Sequence, residues 1–204
     1  SKDCVRIYTG SRGSEKLCVK AGFQQKLNCI VFAVDGKWIA GGTSDDMICV
    51  WNSSTGAELC RIDGHDRGAD IGVLSLAVSP DGLWLISGAS DGTVRLWDTR
   101  RLGVGANRPR LLGHGHRVCS VAMSPDGRLI ASSGNEYGEY LWDAAKPAPP
   151  RALEDPHVRP VFTADGYRTT SSILFSLDGR QVACDAGEHV WDTETRKLTS
   201  DTAN

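Results

Sequence analysis

Short apolar runs alternate with polar turn clusters along the chain, and the stretch from Ser79 to Asp98 shows the pattern most clearly. Asp81-Gly82 and Asp91-Gly92 favour tight turns, because glycine accepts positive φ. Leu83 to Ser87 and Thr93 to Trp97 are short, apolar and rich in β-branched residues, which predicts strands. With Val73 to Val78 just upstream, they form a predicted three-stranded meander. Alternation is poor in these strands, as expected where both faces are partly buried.

The same pattern is written several times. Asp-Gly recurs at Asp35-Gly36, Asp81-Gly82, Asp126-Gly127 and Asp178-Gly179, in steps of 46, 45 and 52 residues. Trp51, Trp97, Trp142 and Trp191 follow, in steps of 46, 45 and 49. From Asp to Trp is 16 residues in the first three copies and 13 in the fourth. Self-similarity at this period marks a repeat architecture. Gly64-His65 and Gly113-His114, Ser-Pro-Asp-Gly at 79–82 and 124–127, and Trp-Asp at 97–98, 142–143 and 191–192 complete the unit. On these residues each copy resembles the WD-repeat (Trp-Asp repeat) family, whose unit is the four-stranded blade of a β-propeller.

The resemblance implies an all-β chain of four full blades, at 23–62, 63–112, 113–153 and 154–204. A half blade at 1–22 precedes them, because Ser1 to Tyr8 lines up with Ser90 to Trp97. Family propellers have about seven blades in a general range of roughly four to eight. The remaining blades are therefore expected from the same full-length chain or a neighbouring chain. Three departures stand out. A four-residue excess lies in the polar loop Asp66 to Gly72. Val161 to Thr170 is a hairpin candidate inserted in blade four. Two connections before an outer strand are long, at Thr99–Pro109 and Ala144–Pro150, and the second contains Pro147-Ala148-Pro149-Pro150, which favours an extended path.

Bulk properties narrow the function. A formal charge of −2 gives no global electrostatic case for nucleic acid or membrane. No run approaches the roughly 18 apolar residues of a span. The seven cysteines contain no Cys-x-x-Cys and fall mostly in predicted strands, as expected of reduced structural thiols in a cytoplasmic or nuclear protein.

The resemblance also implies a hydrogen-bonded set of His, Ser, Asp and Trp inside each regular blade. Blade two carries all four, as His65, Ser87, Asp91 and Trp97. Blade three carries His114, Ser132 and Trp142, with Glu136 where Asp is expected. Blade one keeps Asp45 and Trp51, with Phe23 for His and Gly41 for Ser. Blade four keeps His157, Asp185 and Trp191, and its shortened hairpin removes the Ser. A buried indole N–H, imidazole or carboxylate loses free energy if unpaired, so the set has a structural purpose. It superficially resembles a Ser-His-Asp triad, but the terminal Trp and the repetition through the blades argue against catalysis. No cofactor or metal is expected: His114-Gly115-His116 lacks a third ligand at metal spacing. Between positions 95 and 128 seven arginines face two aspartates, a local excess that could hold RNA or an acidic ligand, although no interleaved aromatics support base stacking.

Function is therefore sought in the loops. In this family one rim, built from loops before the first strand and between the second and third, often holds the partner. By position it carries Asp66, Arg67, Asp70, His116, Arg117, Arg159, Phe162, Tyr167 and Arg168. The expected role is a non-catalytic scaffold for other proteins or peptides. A ligand- or partner-sensing C-terminal segment of a larger signalling protein is the alternative.

Overall fold

The computed structural model describes residues 26–66, 71–103, 109–134, 139–145, 172–184 and 189–201. It describes 4–8, 15–20, 160–162 and positions 111, 198, 200 and 201 by their backbone. The described residues form five antiparallel sheets. β1 (Cys4–Tyr8) pairs with β2 (Glu15–Lys20). The other four sheets are successive blades, each a meander. The first holds β3 (Leu27–Phe32), β4 (Trp38–Thr43), β5 (Met47–Asn52) and β6 (Glu58–Asp63). The second holds β7 (Val73–Val78), β8 (Trp84–Ala89), β9 (Thr93–Asp98) and β10 (Arg110–Gly113). The third holds β11 (Val118–Met123), β12 (Leu129–Gly134), β13 (Glu139–Asp143) and β14 (Pro160–Phe162), and the fourth β15 (Ile173–Phe175), β16 (Gln181–Cys184), β17 (His189–Asp192) and β18 (Leu198–Asp201).

Local chemistry sets the register. In the turn between the first two strands of blade two, Ser79 Oγ donates to Asp81 Oδ1 (2.5 Å) and accepts the Trp84 N–H (2.9 Å), while Asp81 Oδ1 accepts the Leu83 N–H (2.9 Å). Ser124 with Asp126 and Ser176 with Asp178 repeat this turn. The residue after each Trp closes the next turn: Asn52, Asp98 and Asp192 accept backbone N–H groups two or three residues on. That is what the Asp of Trp-Asp does, in Asx-turn geometry.

The core is a series of interfaces between neighbouring blades. Ile48, Val50, Val73, Leu85 and Trp97 bury together between blades one and two. Ile86, Val94, Val118, Ile130 and Trp142 do so between two and three, and Ala131, Leu141, Ile173, Val182 and Trp191 between three and four. Trp51 and Trp97 are almost completely buried. Each burial of this size contributes roughly 1.5–3 kcal/mol. Polar ties cross the same interfaces: Ser75 Oγ accepts the Val121 N–H (3.1 Å) and Ser120 Oγ the Ile173 N–H (3.2 Å).

One expectation is corrected. Val161-Phe162 was expected in a hairpin inserted in blade four, with blade three ending by residue 153. Instead Pro160–Phe162 is the outer strand of blade three, with Glu139 opposite Phe162 and Tyr140 opposite Pro160. An outer strand can begin with proline because its free side needs no ladder donor. The rest of that hairpin, 163–170, lies outside the described residues.

Candidate interaction rim

The rim is anchored from inside blade two. Trp97 Nε1–H donates to Ser87 Oγ (2.9 Å), and Ser87 Oγ lies 2.7 Å from His65 Nε2. His65 Nδ1 lies 2.9 Å from Asp91 Oδ2. With Asp91 ionised, the network assigns the imidazole proton to Nδ1, so Nε2 accepts the Ser87 hydroxyl. Gly64 is needed beside His65, since a Cβ there would come 2.6 Å from the Trp97 ring.

Asp91 accepts four further bonds: from the Asp66 N–H (3.0 Å), the Thr93 N–H (3.0 Å), Thr93 Oγ1 (2.7 Å) and Arg95 Nη2 (3.1 Å). Burial opposes its charge, but the hydrogen bonds from His65, Asp66 and Thr93 outweigh it. They hold the carboxyl well below the usual range. Thr93 and Arg95 were missed by motif reading, although both lie in the strand that leads to Trp97.

Blade three differs. Trp142 Nε1–H donates to Ser132 Oγ (2.8 Å), but neither ring nitrogen of buried His114 has a hydrogen-bond partner among the described residues. The ring packs edge-on against Tyr140 instead, at 4.4 Å between centroids. Burial lowers the His114 pKa to about 4. Glu136 lies outside the described residues.

Blades one and four fill the network space in other ways. In blade one a Cβ at Gly41 would meet Leu27 Cδ1 at 2.6 Å and the Trp51 ring at 3.0 Å, so an apolar side chain occupies the room the serine has in blades two and three. Asp45, expected in the internal set, is a correction: it is exposed and accepts the Thr43 hydroxyl (2.5 Å) in a local turn. In blade four, pairing registers put Cys184 where blade two has Ser87, and its thiol reaches Glu139 Oε1 of blade three at 3.5 Å. His189 stacks on Trp191, 5.7 Å between centroids. Asp185 and His157 lie outside the described residues.

The loops above these networks are laced to each other. The Gly92 carbonyl accepts the His114 N–H (2.8 Å) and the Gly115 N–H (3.1 Å), tying the blade-two turn to the entry of blade three. Ser90 N–H donates to the Gly72 carbonyl (3.0 Å), and Asn28 donates to the Ile71 and Val73 carbonyls (2.6 and 3.1 Å). Gly72 has φ of 79°, and a Cβ there would lie 2.1 Å from the Thr43 carbonyl, so only glycine lets the two loops meet. On this frame Asp66 projects a side chain 89% exposed, 3.7 Å from Arg95 Nη2. His116 is exposed and Arg117 half-buried. Arg67, Asp70, Arg159, Tyr167 and Arg168 lie outside the described residues, as does the side chain of Phe162.

Several arginines of the 95–128 segment are already engaged. Arg95 is buried on Asp91, Arg100 chelates Asp98 at 2.9 and 2.8 Å, and Arg110 lies over the Trp84 ring at 4.7 Å. Burial pushes the Cys29 and Cys49 thiols up to about 11, which makes them poor nucleophiles. Among the described residues no three His, Cys, Asp or Glu groups converge on a metal position, and no helix is long and apolar enough to cross a membrane.

Blades of this kind, repeated and packed face to face, define a β-propeller chain. The family described as "WD domain, G-beta repeat" matches residues 2–52, 56–98 and 107–137, more than half of the chain, and the protein belongs to that WD40 family. No curated protein sequence matches it. Among solved structures it is similar in fold to a chain of the crystal structure of a mitotic checkpoint complex, with a TM-score of 0.78 and 19% sequence identity. The match covers 98% of this chain and 59% of that one, so the chain spans under two thirds of that structure's length. WD40 propellers are in general protein-interaction scaffolds rather than catalysts.

Proposed function

We propose that the chain is a non-catalytic interaction platform, acting in the cytoplasm or nucleus, whose partner is another protein or peptide held on the rim of Asp66, His116 and Arg117. Arg67, Asp70, Arg159, Phe162, Tyr167 and Arg168 extend that surface in the same reading. The observation that carries it is the lacing of the rim: backbone bonds at Gly92 tie the loops of blades two and three together, while the bond at Gly72 and the Asp91 carboxylate under Asp66 fix the loops of blade two, before any partner arrives. Loops already ordered lose little conformational freedom on docking, which favours affinity. The Ser87-His65-Asp91 set supports this reading rather than hydrolysis, since the Ser87 oxygen is buried and occupied by the Trp97 indole.

The test compares proteins captured by the wild type and by an Asp66→Arg, Arg117→Glu variant, with near-ultraviolet circular dichroism confirming unchanged tryptophan packing. Loss of a defined set of partners supports the rim. Capture of the same set by the variant contradicts it.

A further inference from the structure

We propose that the groove between blades one and two, on the rim opposite Asp66 and His116, takes an arginine side chain from a partner polypeptide, seated over the Trp38 indole between the Asp35 and Asp81 carboxylates. The groove has a volume of about 330 Å³ and is lined by Ala33, Val34 and Trp38 with Asp35, Asp81 and Arg100. It lies where turns between first and second strands meet the connection after β9, at the far end of the strands from the other rim.

The protein displays the fitting chemistry one interface further on. Trp84 occupies in blade two the position of Trp38 in blade one, each opening the second strand opposite the residue that follows the buried Trp. The Arg110 guanidinium covers the Trp84 ring at 4.7 Å and donates to the Ala144 carbonyl at 3.3 Å. Arg110 stands opposite Leu96, and the matching residue in blade one, opposite Val50, is Cys60. A thiol cannot do this, so among the described residues no cation lies over Trp38. The turns are also further apart here. A Cβ at Gly127 would lie 3.8 Å from Pro80 and one at Gly179 3.4 Å from Pro125, whereas one at Gly82 would meet nothing within 4 Å.

Charge completes the match. Asp81 uses Oδ1 for its turn, and among the described residues its Oδ2 carries no hydrogen bond. Asp35 faces Lys37 at 3.2 Å, but that ammonium is 81% exposed and its pairing is weak. Arg100 spends its Nε and Nη2 donors on Asp98, and its charge reaches Asp81 without a hydrogen bond among the described residues. A guanidinium suits the site better than an ammonium, because its plane stacks on an indole while its edge reaches a carboxylate.

The test titrates the 204-residue chain with acetyl-Gly-Gly-Arg-Gly-Gly-amide and with its citrulline counterpart, which has the same shape and no charge. The six indole N–H resonances are followed, with Trp38 assigned through Trp38→Phe. The expected result is a saturable shift of the Trp38 signal and none of Trp84. Replacing arginine by citrulline weakens it about fivefold or more, and so does Asp81→Asn, which keeps the turn-forming oxygen. Equal affinity for the two peptides, shifts confined to other indoles, or displacement by an oligouridylate rather than by the arginine peptide would overturn the proposal. This surface is separate from the Asp66 rim and stands or falls independently of it.

Discussion

Blades two and three carry the same Gly-His, Ser-Pro-Asp-Gly, Ser and Trp-Asp, at the same spacing from Ser-Pro-Asp-Gly onward, yet their interiors are wired differently. In blade two the imidazole joins a carboxylate to a serine, and the serine joins it to the indole. In blade three the indole–serine bond survives, while His114 lies against Tyr140 with neither nitrogen bonded among the described residues. The two blades differ in sequence at two positions beside these residues. Asp91 is a short carboxylate reaching back to His65, where blade three has Glu136. Arg95, two residues before the Trp, ties that carboxylate down, where blade three has Tyr140. The lesson is that a buried histidine is held by its partner's carboxylate more than by its own place in a motif.

The largest predicted effect breaks blade two. Asp91→Ala strips acceptors from His65, Arg95, Thr93 and the Asp66 N–H together and leaves a cation buried without its partner. That costs about 3–5 kcal/mol, read as a lower urea midpoint. The next effect belongs to blade three. Burial holds the His114 pKa at about 4 against 6.5. In the window between these values the unfolded chain binds more protons than the folded one, so stability falls as pH falls, by up to about 3 kcal/mol. Thermal melts across pH 7 to 4 measure it, and His114→Phe is expected to flatten the profile. A steep profile retained in His114→Phe would place the titration elsewhere.

Serine substitutions sharpen the comparison further. Ser87→Ala removes partners from both an imidazole and an indole, and is predicted to cost about 2–3 kcal/mol. Ser132→Ala orphans the indole alone and costs about 1–2 kcal/mol. Equal costs in denaturant unfolding would mean that His114 leans on Ser132 after all. The smallest effect is at the rim: Asp66→Ala, with its carboxylate in solvent, shifts stability by under about 0.5 kcal/mol while changing partner capture.

Repeat, blade count and turns were legible in the sequence because they rest on local chemistry. Ser79, Asp81 and Trp84 determine one turn within six residues, and copies of it follow at a near-constant step. What was not legible depends on contacts made at a distance. Cys184 takes the serine position only once β16 is paired against β17, a register that a shortened hairpin hides. Pro160–Phe162 joins blade three across a long proline-containing connection, so no local signal marks its partner. Asp45 sits at the right spacing for a network residue, but Leu27 fills the interior beside Gly41 and Trp51. The aspartate is left to its own turn. Of the rim, Asp66 and His116 were legible as loop residues. The bonds at Gly92 that tie blade two to blade three involve backbone alone, which motif reading does not see.

The central claim is that the blade-two network holds the rim in place, and amide hydrogen exchange tests it most directly. Wild type and Asp91→Ala are compared under native conditions. The account predicts that the amides of Asp66 and Thr93 lose protection in the variant, while those of β15 to β17 keep theirs. Unchanged protection at Asp66 and Thr93, or an equal loss across all four blades, would contradict it.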